Sequence, residues 1–142
     1  MRVLLAALAV VVFVAVSAVV ARWLTVDGAE RAKVERLLAA QARGDASAML
    51  RELDGCDGAC AATARANARR LRRGGRVQIV AYESATSHAL SADQGPTRVV
   101  WKTPDTLTVV QCVAVRRSGS VLAGVTVRLE TLSAPRPRTA GC

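Results

Sequence analysis

Aromatic side chains are scarce in this chain: two Trp, one Tyr and one Phe make up 3% of its 142 residues. A surface that stacks bases or sugars needs such rings, so nucleic-acid recognition is excluded. Phe13 and Trp23 fall in the first segment, leaving Tyr82 and Trp101 for everything after it. Histidine occurs once, as His88, with no nucleophile-bearing motif beside it, so a Ser-His-Asp triad has no basis. Glycine (10) and proline (4) are too few for a collagen-like chain, and 51% hydrophobic composition is too apolar for a disordered one. The length allows one domain, not two. No internal repeat is present.

Val3 to Ala21 carries no charge, and Ser17 is its only hydroxyl. At about 1.5 Å per helical residue this run nearly matches a hydrocarbon core of roughly 30 Å. Arg22 and Trp23 follow, suited to the headgroup boundary. The sequence therefore predicts a transmembrane anchor over residues 1–24, with the lipid bilayer as partner through residues 3–24. A cleaved secretory leader is the alternative, cut at Val16-Ser17-Ala18 or Val19-Val20-Ala21 and releasing a secreted product without residues 1–21. A literal count of flanking cations would leave the C-terminal part in the cytoplasm. Four cysteines beyond the segment argue instead for disulfides outside the cell. The expectation is a single-pass protein of the cell membrane, its C-terminal domain outside.

The formal net charge is +9, from 20 Lys+Arg against 11 Asp+Glu. Lys33 and Lys102 are the only lysines. With a single isoleucine and abundant Ala, Val and Gly, that bias reads as high-G+C coding, so arginine richness is partly background.

Beyond the leader the period of apolar residues is helical at first. Asp27-Gly28-Ala29-Glu30 reads as a capping box opening a helix. That helix carries Ala29, Val34, Leu37, Leu38 and Gln41 on one side and Glu30, Arg31, Lys33 and Arg36 largely outside. Gly44 ends it and Asp45 caps a shorter helix through Met49 and Leu53. A third helix, roughly Ala59 to Arg73, places Ala61, Ala64, Ala68 and Leu71 on one face. After Gly74-Gly75 the period becomes two. Strands are expected over Arg76 to Ser84, over Thr97 to Thr103, from Leu107 to Val115, and from Val121 to about Leu132. Ser87 to Gly95 reads as a polar loop, and Arg117-Ser118-Gly119-Ser120 as a connector. Helices followed by strands indicate an α+β domain over residues 25–132, three helices packed on a curved antiparallel sheet of about four strands. Residues 133–142 form a Pro/Arg tail ending in Cys142.

Leu37-Leu38-Ala39-Ala40-Gln41-Ala42-Arg43-Gly44-Asp45-Ala46-Ser47-Ala48-Met49-Leu50 resembles the start of many NTF2-like domains, where a first helix ends in Gly-Asp and a short second helix packs across it. The resemblance covers most of residues 27–132 in layout, and residues 37–50 in motif. It implies a cone with a pocket and no fixed function, since members include isomerases, dehydratases, transport adaptors and secretion assembly factors. It also allows a dimer paired through the sheets.

Four features bear on chemistry. The first is the cysteine set, for which Cys56–Cys60 and Cys112–Cys142 is the favoured of three pairings. A zinc site of these thiols with His88 is the rival, weakened by the lack of paired short spacings. The second is a basic patch of Arg65, Arg69, Arg70, Arg72, Arg73 and Arg76, read as a solvated helix face, or as a site for anionic headgroups or an acidic protein partner. The third is a pocket set of Tyr82, Glu83, His88, Asp93, Trp101 and Asp105. Tyr82 and Trp101 read most simply as core or cavity-lining rings and are the ligand-binding candidates, and no convergent base and acid identify a catalytic residue. The fourth is the Pro-Arg-Pro-Arg tail, a stiff strap leading to Cys142. The resulting reading is a non-catalytic, membrane-tethered extracytoplasmic binding or assembly module needing no cofactor or metal. Its alternative is a small secreted or tethered isomerase- or dehydratase-type enzyme.

Overall fold

The computed structural model describes residues 2–85, 94–120 and 124–142. Its elements are helices α1 (Arg2–Arg43), α2 (Ala46–Glu52) and α3 (Gly58–Arg70), then strands β1 (Gln78–Ser84), β2 (Gln94–Lys102), β3 (Val109–Ser120) and β4 (Gly124–Leu132). The strands form one antiparallel meander in the order β1-β2-β3-β4. Bulges between Ile79 and Ala81 and between Ala114 and Val115 interrupt its register, and such insertions bend a sheet.

The transmembrane anchor is corrected. Among the described residues no helix is long and apolar enough to cross a membrane. The expected anchor is also not a separate element. α1 is one helix of 42 residues that runs on into the folded domain. Leu8, Val11, Phe13 and Val16 on its N-terminal arm are exposed, whereas Val34, Leu37 and Leu38 further along are fully buried.

Continuity of α1 overturns the capping box as well. A box needs the chain to enter the helix at Asp27, and here Asp27 and Gly28 lie within it. The side chains of Asp27, Arg22 and Trp23, and residues His88 and Asp93 with most of the Ser87–Gly95 loop, lie outside the described residues. The stop signals at the other end of α1 act as expected. Gly44 takes φ +77°, and the Asp45 carboxylate accepts a 2.9 Å bond from the Ala48 N–H at the start of α2. α3 ends three residues early, at Arg70, with Leu71 as its cap.

The helices cover one face of the sheet. Val99 and Trp101 of β2, Val113 and Val115 of β3, and Val127 and Leu129 of β4 meet Val34, Leu37 and Leu38 of α1 and Met49 of α2 in one core. Leu107, expected on the buried face of β3, is instead 78% exposed on the turn before it. β3 also continues through the expected connector, with Gly119 opposite Val125 and Ser120 opposite Gly124. Alternation therefore extends past Val115 to Arg117 and carries that guanidinium to the covered side of the sheet.

Candidate functional site

Two polar clusters sit inside the sheet–helix interior, where a cone would open. The first centres on Glu30, which is fully buried. Its Oε1 accepts from the Tyr82 hydroxyl at 2.7 Å and from Thr97 Oγ1 at 2.8 Å. Its Oε2 accepts from Arg117 Nε at 3.0 Å and from Arg117 Nη2. Here α1, β1, β2 and β3 converge on one carboxylate. Glu30 stands four residues before Val34 and seven before Leu37, so it faces inward with them. Arg117 is two residues past Val115 and shares its side of β3. The expectation of Glu30 outside fails on residue type: its spacing is that of the buried stripe, and only its charge argues otherwise.

Burial alone would raise the Glu30 pKa. Hydrogen bonds from Tyr82, Arg117, Thr97 and Ser84 outweigh it and hold the carboxyl below its ordinary 4.5. Burial, together with the Glu30 carboxylate that it donates to, pushes the Tyr82 phenol far above its usual range. Arg31 adds a cation over the Tyr82 ring, 5.9 Å from its centroid. The unit is thus a carboxylate–guanidinium pair with a neutral phenol, fixed in one protonation state across the middle pH range.

The second cluster is uncharged. Gln111 Oε1 accepts from Trp101 Nε1 at 2.8 Å and from Gln41 Nε2 at 2.9 Å. Gln111 Nε2 donates to the Ser133 carbonyl at 2.9 Å, as does Asn67 Nδ2 from α3 at the same distance. Trp101, Gln41 and Gln111 are fully buried. Among the described residues no buried side-chain nitrogen or oxygen lacks a hydrogen-bond partner.

These contacts locate the sequence candidates. Trp101 is a core residue whose one polar atom is already used, and Tyr82 lies against Glu30. The two are not brought together around a cavity. Glu83 is exposed and pairs with Arg98 at 3.1 Å, and Asp105 sits on an exposed turn with φ 59°. Among the described residues, the surface depressions include two shallow ones. One of about 300 Å³ is lined by Arg31, Glu35, Arg76, Val77, Gln78 and Ile79. The other, of about 450 Å³, includes Cys60, Pro96, Cys112, Ala114 and Thr131. Neither touches Tyr82 or Trp101.

The cysteines pair as Cys56–Cys60 (S–S 1.93 Å) and Cys112–Cys142 (S–S 2.03 Å). That consumes all four thiols and marks a protein suited to an oxidising, extracytoplasmic setting. The second bridge holds the tail against the sheet, where Arg98 grips the carbonyls of Arg138 and Ala140. Of the basic patch, Arg65, Arg69, Arg70, Arg72 and Arg76 are exposed and Arg73 is half-buried. Arg72, Arg73 and Arg76 lie beyond the end of α3, so the patch is a helix end plus its connector rather than a single helical face.

Compared with protein-family models, with curated proteins and with solved structures, the chain matches none.

Proposed function

We propose that this chain is an extracytoplasmic, non-catalytic binding or assembly module of NTF2-like layout, acting through its outer surface. The observation that carries the reading is an interior closed among the described residues, where every buried side-chain nitrogen and oxygen has a hydrogen-bond partner. Catalysis in such a cone needs a carboxylate base and a proton donor facing a substrate. Here Glu30 and Tyr82 face each other, Arg117 neutralises the carboxylate, and Trp101, Gln111 and Gln41 are fully buried against one another. Delivery outside the cytoplasm fits the two bridges, and the exposed apolar arm of α1 fits a leader cut after Ala18 or Ala21. Removing it takes away an apolar surface that is exposed among the described residues.

The test uses the Trp23→Phe variant, which leaves Trp101 as the only tryptophan. Trp101 emission is expected to be blue-shifted, shielded from acrylamide, and unchanged by excess steroid, ketone or carboxylic-acid probes. Emission that a small probe quenches or shifts saturably would overturn the closed interior and favour the enzyme reading.

A further inference from the structure

The described ion pairs are unevenly distributed. They join Arg36 to Glu52, Arg98 to Glu83, Arg116 to Glu130, Arg117 to Glu30 and Arg128 to Asp54. None involves Arg65, Arg69, Arg70, Arg72, Arg73 or Arg76. From Gly58 to Tyr82 the chain carries those arginines and no carboxylate. Six arginines in one carboxylate-free stretch thus appear in none of the described ion pairs.

Contacts gather much of this set at one end of the molecule. The Arg73 N–H donates to the Ala42 carbonyl near the end of α1, and the Arg72 side chain lies over Gly44. Gly75 abuts the Pro104 ring, close enough that a Cβ would clash at 2.9 Å. Arg73 Nη1 donates to the Leu107 carbonyl at 3.2 Å. Arg43 at the end of α1 is exposed and adds a further cation. Leu107, at 78% the most exposed of the large apolar side chains among the described residues, therefore stands beside Arg73 at this end. The acids nearby are Asp45, which caps α2, Asp105 on the Leu107 turn, and Glu35 beside Arg76.

We propose that this end of the domain docks on an anionic phospholipid surface, the arginines on phosphates and Leu107 in the interfacial layer. The protein would lie on that surface there, without spanning it. Charge complementarity alone would also suit an acidic protein. The exposed leucine at the arginine-bearing end is what favours lipid, because a cationic face with an apolar tip matches the headgroup–acyl boundary. The inference is independent of whether the interior is closed.

The experiment measures partition of the full chain into phosphatidylcholine vesicles and into vesicles enriched in phosphatidylglycerol. Neutral vesicles supply the baseline set by the apolar arm of α1. Anionic vesicles are expected to bind more tightly, with a preference that falls as salt rises. Substituting Arg65→Gln, Arg69→Gln, Arg70→Gln and Arg76→Gln should lower the anionic preference by about fivefold per charge removed. Arg116→Gln with Arg128→Gln, away from this end, should leave it nearly unchanged, and Leu107→Ser should weaken binding without changing its salt dependence. An anionic preference that survives the four substitutions would overturn the proposal. So would indifference to Leu107→Ser combined with tight capture of soluble polyglutamate, which would indicate an acidic protein.

Discussion

Glu30, Tyr82 and Arg117 set the pH behaviour of the domain. Glu30 is more acidic folded than unfolded, so its contribution is complete above about pH 4.5 and is lost as pH falls through the folded value. Tyr82 runs the other way: with its folded pKa raised, its contribution is complete below pH 10 and is lost as pH rises beyond that. Stability followed by denaturant unfolding across pH should therefore show a plateau bounded by those two limits. Because Tyr82 is the only tyrosine, tyrosinate absorbance should stay absent above pH 10 and appear together with loss of circular dichroism. Arg117→Met takes the guanidinium away from a buried carboxylate and should cost about 3–5 kcal/mol by denaturant unfolding. Arg116→Gln, whose partner Glu130 is near the surface, should cost no more than about 1 kcal/mol. These residues are half legible in the sequence. Their spacing puts them on buried faces, but the ordinary preference of Glu and Arg for water points outward, and no local signal says that two distant charges will meet. Trp101 is legible as a core or cavity-lining ring, but nothing in its neighbourhood announces that Gln111 satisfies its N–H.

At the scale of elements, the stop at Gly44-Asp45 is legible because its causes are local: a left-handed glycine, then a carboxylate within reach of a free N–H. Gly44→Ala should cost about 1–2 kcal/mol, since the backbone at φ +77° resists a side chain. Arg72 Cδ, 3.1 Å from where the new methyl would stand, leaves it little room. Gly28 offers the opposite outcome. It is interior to α1, and a Cβ added there would meet nothing within 4 Å. Gly28→Ala should therefore stabilise by about 0.5–1 kcal/mol, measured as a rise in Tm. The start of α1 is misleading in the sequence for the same reason that Gly28 is a weak point. Asp-Gly-Ala-Glu is a cap only when the chain arrives there unfolded, and an upstream helix cancels the signal. β3 is longer than its sequence suggests because Arg117-Ser118-Gly119-Ser120 has turn composition, whereas pairing with β4 carries it on as strand.

For the whole molecule, the α+β layering and the four-stranded sheet follow from the change of period near Gly75. The bilayer crossing rests on hydropathy and on Arg22-Trp23 at its end, and does not hold among the described residues. Two bridges then tie together what the modest core of this small domain leaves loose. Removing Cys112–Cys142, which closes a separation of 30 residues, should cost about 3–4 kcal/mol in the chain-entropy model. Removing Cys56–Cys60, with a separation of 4, should cost about 2 kcal/mol. Thermal unfolding of the two double-Ser variants checks that order. The most direct measurement is alkylation of the chain as taken from its own cells, under non-reducing conditions and with the compartment recorded, followed by peptide mass mapping. The expected result is no alkylated cysteine, the crosslinked pairs Cys56–Cys60 and Cys112–Cys142, and recovery outside the cytoplasm. Four alkylated thiols on a folded cytoplasmic protein would contradict a bridged, extracytoplasmic module.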